Sequence, residues 1–268
     1  MRRILFLWTL FSMLIHAGRA QPKRTTRDLG RYFQEHQLTG CFVMYDLKKD
    51  AWTVYNPDRC QTRFIPASTF KIPNSLIALE TGVVADKDFT LKWDGKDRGR
   101  SAWNRDHSLQ TAFQVSAVWY YQEVARRIGE KRMRAYLTKF GYGNQDIGGG
   151  IDQFWLTGQL AISPEEQVTF LKKLYHNKLP LARRTMDTVK DMMLVQDTLG
   201  YQLRGKTGWA DPADKNIGWF VGYLEQNANV YFFATNVESG PKAPDNFAPA
   251  RRTITENILR EMNLLEGK

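Results

Sequence analysis

The sequence predicts a mixed α/β (α+β) fold, in which an antiparallel sheet is flanked by N- and C-terminal helices and joined to an all-helical lobe. Apolar and polar residues alternate in two short segments near the start of the chain and in three near its end. The long middle instead follows a helical period. The length of 268 residues suffices for one large core or two closely joined lobes.

The strand segments come from both ends of the chain. Residues 40–47 and 51–56 alternate around a charged turn, Lys48-Lys49-Asp50, which predicts a hairpin. Three further strands are predicted at residues 201–206, 217–224 and 230–236, with turns at 209–216 and 225–229. We expect helices at 26–37 and 247–265 to pack on this sheet. The sheet lobe would then comprise about residues 21–66 and 196–268.

Residues 67–195 are predicted to form the helical lobe. One helix start within it is well marked, because Ser163 suits an N-cap, Pro164 the first turn and Glu166 the far side of a capping box. Glu166 is therefore predicted to be a helix cap and not a catalytic carboxylate. A cleft between the two lobes is the expected ligand site.

The first twenty residues predict a secretory signal peptide. Arg2 and Arg3 precede an apolar run at residues 4–15, and small residues around Ala20 suit cleavage there. The run has about twelve residues, short of the ~20 that a transmembrane helix needs. The prediction is a secreted, periplasmic protein without stable membrane association.

The basic charge does not predict a nucleic-acid partner. Lys and Arg total 38 against 28 acids, a net charge of +10, and loss of residues 1–20 would leave 35 against 28, or +7. Because these charges are scattered through predicted helices, solvated helix faces are the preferred interpretation.

The two cysteines leave two readings open. Cys41 begins one predicted strand and Cys60 follows the next, so an oxidising compartment would allow a disulfide between them. Buried structural thiols are the alternative, since sequence does not fix the geometry that a disulfide requires.

A nucleophile and a possible base occur at helical spacing in Ser68-Thr69-Phe70-Lys71. Residues three apart on a helix are neighbours, so the Lys71 amine can reach the Ser68 hydroxyl. Free N–H groups of the first helical turn would stabilise negative charge nearby. Ser-x-x-Lys is weak evidence by itself, because both residue types are common.

The motifs that follow make the pattern specific. They are Ser116-Ala117-Val118, Tyr142-Gly143-Asn144, Trp155 and Lys206-Thr207-Gly208, in that order. On these residues the chain resembles the class D serine beta-lactamases, the oxacillinase family, over essentially all of residues 21–268. The resemblance implies one domain with the penicilloyl-serine transferase, or beta-lactamase-like, fold. It also implies hydrolysis of beta-lactams such as penicillins and oxacillin-like drugs through an acyl-serine at Ser68.

The resemblance implies that Lys71 is N-carboxylated by carbon dioxide or bicarbonate and serves as general base for acylation and deacylation. A protonated lysine cannot act as a base, so its pKa must fall, and burial among Phe70, Val118, Trp155 and Leu156 would lower it. The Trp155 indole N–H would hydrogen-bond the carbamate. No metal or other cofactor is implied.

The remaining roles also come from the resemblance. Ser116 would pass a proton to the leaving lactam nitrogen, while Lys206, Thr207 and Arg251 would bind the substrate carboxylate, with Arg252 as the alternative to Arg251. Gly208 would leave room for substrate, and the N–H groups of Ser68 and Trp209 would form the oxyanion hole. Trp103 and Leu156 are expected at the rim, with Tyr142 and Asn144 bracing the cleft.

Two related functions remain as alternatives: a non-hydrolytic penicillin-binding sensor and a D,D-peptidase. Residues 145–160 contain no glutamate to activate a hydrolytic water, so one base would have to serve both half-reactions. Four histidines, no Gly-x-Ser-x-Gly and no zinc-ligand spacing argue against a Ser-His-Asp hydrolase or a metalloenzyme. The expected partner is a small-molecule beta-lactam. The state of assembly, monomer or homodimer, and the range of substrates, carbapenems included, stay open.

Overall fold

The computed structural model describes residues 21–212 and 214–265. The predicted signal peptide, residues 1–20, lies outside the described residues. Among those described, no helix is long and apolar enough to cross a membrane.

A seven-stranded sheet is the centre of the fold. The strands are β1 Lys23–Thr26, β2 Thr39–Asp46, β3 Ala51–Tyr55, β4 Thr90–Leu91, β5 His107–Ser108, β6 Leu194–Asp197, β7 Tyr201–Ala210, β8 Asn216–Gln226 and β9 Asn229–Ser239. The large sheet has the order β1-β3-β2-β9-β8-β7-β6, and β4 pairs with β5 separately. Its pairs are antiparallel except for β1 with β3, which are parallel.

Helices cover both faces of this sheet. They are α1 Gly30–Gln34, α2 Pro57–Gln61, α3 Lys71–Glu80, α4 Leu109–Val115, α5 Val118–Ile128, α6 Glu130–Phe140, α7 Pro164–Tyr175, α8 Arg183–Met192 and α9 Phe247–Glu261, with short 3₁₀ turns at Ala67–Phe70 and Ser101–Trp103. The predicted capping box at the start of α7 is confirmed, because Glu166 N donates to Ser163 Oγ at 3.2 Å and Ser163 N donates to Glu166 Oε2 at 2.8 Å.

The predicted fold class is confirmed, and so is the hairpin, which is formed by β2 and β3. The helix predicted at 26–37 is wrong at both ends, since α1 covers only Gly30–Gln34, and the helix predicted at 247–265 ends at Glu261. Thr26 belongs instead to β1, an exposed strand that adds its backbone to the free edge of β3. The turn predicted at 209–216 begins too early, since β7 runs through Ala210. The helical region also contains the β4–β5 pair, so it is not purely helical. The boundaries of the two lobes stay predictions.

The apolar core lies on both sides of the sheet. Alternate residues of β2 point to opposite faces: Val43 packs with the helical region and Phe42 with the terminal helices. Leu76 of α3 belongs to the first cluster and Ile254 of α9 to the second. The sheet is therefore buried between two helical layers. This brings the α3 N-terminus, β7 and α9 to one region.

Cys41 and Cys60 are both buried, free thiols. Cys60 Sγ lies 3.3 Å from Tyr55 O and 3.5 Å from Phe42 O. Of the two readings open from the sequence, the structure shows buried thiols.

Candidate active site

Ser68 and Lys71 lie together where the 3₁₀ turn Ala67–Phe70 leads into α3. Lys71 Nζ is 2.8 Å from Ser68 Oγ, and the Lys71 side chain is 1% exposed. Ala67, the residue before the serine, has a left-handed φ of 49°. A non-glycine residue in that region stores backbone strain of order 1–3 kcal/mol, which the surrounding packing must hold.

The surroundings of Lys71 are apolar and aromatic. The Phe70 ring stacks on Trp155 with centroids 5.4 Å apart, and the Tyr121 ring centroid lies 5.1 Å from Lys71 Nζ. Burial lowers the pKa of Lys71 well below its usual range, and the positive charges of Lys206 and Arg100 lower it further. This favours the neutral amine, which can accept a proton or add carbon dioxide.

Trp155 is fully buried, and its indole N–H has no hydrogen-bond partner among residues 21–212 and 214–265. An unsatisfied buried donor costs about 1–3 kcal/mol, so a native protein rarely keeps one without a reason. The donor belongs to the ring that stacks on Phe70, the neighbour of Lys71. The Trp155 ring thus offers an unused, buried hydrogen-bond donor to an additional acceptor.

Ser116 and Lys206 form the second polar pair. Ser116 ends α4 with a left-handed φ of 62°, and Lys206 Nζ donates to its Oγ at 3.1 Å and to Thr207 O at 3.0 Å. Burial and the charge of Arg251 lower the pKa of Lys206 to about 7. Near neutral pH, Lys206 is therefore present in both charged and neutral forms within hydrogen-bond distance of Ser116.

Strand β7 lies against the turn that carries Ser68. A Cβ added at Gly208 would be only 3.0 Å from Pro66 O, so a side chain at this position would push the strand away from the turn. The Trp219 indole on neighbouring β8 donates to Ile65 O at 2.9 Å and fixes the same segment. The strand that bears Lys206, Thr207, Gly208 and Trp209 is thereby held beside Ser68.

Arg251 projects from α9 towards β7. Its Nη1 donates to Gly208 O at 2.6 Å and its Nε to Ala248 O at 2.9 Å. A Cβ at Gly218 of β8 would lie 2.8 Å from Arg251 Cδ, so this glycine makes room for the side chain. Arg252 instead pairs with Glu256 on its own helix. Of the two arginines that the sequence offered, the structure brings Arg251 to the strand.

The other predicted residues lie around these pairs. The Trp103 indole donates to Val115 O at 2.9 Å, which places its half-buried ring next to the Ser116 segment. Asn144 braces the loop after α6, because its Nδ2 donates to Gln159 O at 2.8 Å and its Oδ1 accepts from Ala161 N at 3.0 Å. Tyr142 packs edge-on against Phe70. Val118 and Leu156 are half-buried, and their contact with substrate stays a prediction.

Comparisons with known proteins show which family the chain belongs to. The family model for the penicillin binding protein transpeptidase domain matches residues 33–261. The beta-lactamase OXA-48 of Klebsiella pneumoniae is 43% identical over 246 residues, which cover 92% of each chain. The chain belongs to the class D beta-lactamases.

Solved structures of class D beta-lactamases have the same fold. The YbXI enzyme from Nostoc is 46% identical, with a TM-score of 0.85 over 89% of this chain and 99% of that one. A class D beta-lactamase from Sebaldella termitidis is 38% identical, with a TM-score of 0.87 over 92% of this chain and 100% of the other. In the described part of this class D beta-lactamase, no three His, Cys, Asp or Glu side chains are grouped to hold a metal ion.

Three site residues of this class D beta-lactamase were missed at the sequence level. Tyr121 lies under Lys71, Ser75 bonds to the Tyr121 hydroxyl, and Arg100 lies over Trp103. Helical spacing held a partial signal, because Ser75 follows Lys71 by four residues on α3 and Tyr121 follows Val118 by three on α5. Nothing in the sequence indicated that these faces of α3 and α5 pack against each other.

Proposed function

We propose that the protein hydrolyses beta-lactam antibiotics, penicillins and oxacillin-like compounds among them, through an acyl-enzyme on Ser68. The observation that carries this proposal is the 2.8 Å approach of Lys71 Nζ to Ser68 Oγ in a site that lowers the lysine pKa. A neutral amine at this distance is within reach of the hydroxyl proton. Membership of the class D beta-lactamases supports the choice of substrate.

We propose further that Lys71 is N-carboxylated. Its neutral amine would add carbon dioxide and release one proton, and the resulting carbamate supplies an anionic oxygen base next to Ser68. Two features fit this group: the unpaired N–H of Trp155, and the positive charges of Lys206 and Arg100, which act on Lys71. Because both favour a negative charge at this position, they would stabilise the modified form.

In acylation, Ser68 Oγ would lose its proton to the base at residue 71 and attack the lactam carbonyl carbon. The N–H groups of Ser68 and Trp209 would stabilise the oxyanion, roughly 3–4 kcal/mol each by comparison with other oxyanion holes. When the ring C–N bond breaks, Lys206 would supply a proton to the nitrogen through Ser116. The 3.1 Å contact between Lys206 Nζ and Ser116 Oγ supports this route.

Arg251, Lys206 and Thr207 would hold the ring carboxylate of the substrate. The Arg251 guanidinium lies beside Gly208, the residue at which the strand packs closely on the turn that carries Ser68. Trp103, Val118 and Leu156 would supply apolar walls. In deacylation, the base at residue 71 would take a proton from the water that attacks the acyl carbonyl.

We also propose where the protein acts and how it assembles. The protein would be exported to the periplasm with cleavage near Ala20, and it would act as a monomer or homodimer. The alternative of a non-hydrolytic sensor predicts acylation without turnover.

Spectrophotometric turnover of benzylpenicillin and oxacillin tests the activity, with purified residues 21–268 in bicarbonate buffer. We expect multiple turnovers by the wild type and none by Ser68→Ala. Ser163→Ala is a matched control, because it removes a serine from a helix cap and should keep the activity. Absence of wild-type turnover of both substrates would contradict the proposal, and one equivalent of product followed by arrest would favour the sensor.

A further inference from the structure

Arg100 occupies a defined position on the wall that carries Ser116. Its guanidinium carbon lies 4.8 Å from the centroid of the Trp103 ring. The Trp103 indole is itself fixed by its hydrogen bond to Val115 O, one residue before Ser116. The Trp119 indole also donates to Trp103 O at 2.8 Å. Arg100 thus rests on a residue whose ring and backbone are each held by one hydrogen bond.

The surrounding loop leaves the Arg100 charge unneutralised. Asp94 pairs with Arg98 at 2.8 Å, and Asp97 accepts from Gly99 N at 2.8 Å and from Asn104 Nδ2 at 2.5 Å. Within residues 21–212 and 214–265, no carboxylate forms an ion pair with Arg100, which is exposed. The acids of the loop therefore hold the backbone and Arg98 in place, while Arg100 remains available to a ligand.

The charge of Arg100 acts on two residues of the candidate site. Burial is the main cause of the lowered pKa values of Lys71 and Arg251, and the positive charge of Arg100 adds to both. Its contact with Trp103, whose indole bonds to Val115 O beside Ser116, places Arg100 next to the same site. The ring carboxylate of a penicillin brings one negative charge, which the proposed function assigns to Arg251, Lys206 and Thr207.

We propose that Arg100 is a specificity-determining residue that binds a second anionic group on the substrate, so that the site favours beta-lactams with a carboxylate or sulfonate in the side chain. This inference rests on the proposed function. A guanidinium stacked on an aromatic ring is pre-oriented and offers a planar fork of donors to a carboxylate.

Two penicillins that differ by one carboxylate test the proposal. Benzylpenicillin has a neutral side chain, and its α-carboxy derivative carbenicillin carries a second anion. The readout is the ratio of kcat/KM for carbenicillin to kcat/KM for benzylpenicillin. We expect Arg100→Gln to lower this ratio about fivefold, the size of one partly exposed charge contact, and Arg100→Lys to retain most of it.

Arg105→Gln is the matched control. Arg105 is another exposed arginine of the same segment, and its charge acts on buried His107. The Arg105→Gln variant should leave the ratio of the two kcat/KM values unchanged. In the wild type the ratio should fall as salt rises from 20 to 500 mM, whereas Arg100→Gln should show a weaker dependence.

The inference is overturned if Arg100→Gln leaves the ratio of the two kcat/KM values unchanged. Arg100 would then make no distinction between carbenicillin and benzylpenicillin. It is also overturned if Arg105→Gln lowers the ratio as much, since general surface charge would then explain the effect. These outcomes differ from failure of the proposed function, in which the wild type would hydrolyse neither penicillin.

Discussion

The hydroxyls of Tyr121 and Ser75 lie 2.9 Å apart in the buried space behind Lys71. This hydrogen bond joins α5 to α3, and it fixes the ring that lies under the lysine amine. Burial raises the pKa of Tyr121 well above its usual range, so the hydroxyl stays neutral and keeps its proton for this contact. The position of Lys71 therefore depends on two residues that take no part in the chemistry themselves.

We expect Tyr121→Phe to lower the free energy of unfolding by about 1–3 kcal/mol, because it leaves the Ser75 hydroxyl buried without its partner. Ser75→Ala should cost a similar amount. The double variant should be less destabilised than the sum of the two, since it removes both ends of the bond. Urea denaturation of the four proteins measures this coupling, and additive changes would contradict it.

Trp155→Phe should change both stability and activity. The smaller ring leaves a cavity in a fully buried site, so the free energy of unfolding should fall by about 1–2 kcal/mol, although removal of the unsatisfied N–H offsets part of this loss. Turnover should fall and should require more bicarbonate for half-maximal rate, because the carbamate would lose its hydrogen-bond donor. Activity against bicarbonate concentration, measured beside urea denaturation, checks both. Trp52→Phe is the control, because strand β3 lies near the opposite edge of the sheet from β7.

Lys206 should set the alkaline limb of the kcat/KM profile. Its pKa is about 7 in the free protein, and the proposed step needs its proton, so kcat/KM should fall as pH rises through that value. The kcat limb should lie at higher pH, because a bound substrate carboxylate favours the charged lysine. A kcat/KM that does not decline between pH 6 and 9 would contradict a proton-donating Lys206.

Substitutions of Arg251 and of its neighbour Arg252 should have different effects on kcat/KM. Arg251→Ala removes the guanidinium beside Gly208 and should lower kcat/KM for benzylpenicillin by at least about tenfold, the value of one charge-assisted hydrogen bond. Arg252→Ala removes only a partly exposed pair with Glu256 and should stay within about twofold. Initial rates of both variants measure this. Equal losses of kcat/KM in the two variants would contradict a specific role for Arg251.

Local elements of this fold could be predicted, since they depend on nearby residues. The β2–β3 hairpin, the α7 cap and the Ser68–Lys71 pair all follow from spacings of a few residues. The Ser116–Lys206 contact joins residues 90 positions apart, so only the family resemblance indicated it. Strand β1 was missed because its partner is the distant edge of β3. Arg100 and Tyr121 were missed for a similar reason. The path of a loop brings Arg100 to the site, and the packing of α5 on α3 brings Tyr121 there.

In the proposed mechanism, residue 71 is the base for both half-reactions. The most direct test is the electrospray mass of the protein mixed with excess oxacillin, sampled over time with and without bicarbonate, for wild type and Lys71→Ala. We expect an adduct of one oxacillin on Ser68 that clears in the wild type, faster with bicarbonate, and persists in any Lys71→Ala molecules that acylate. Clearance at equal rates in both proteins would contradict the claim.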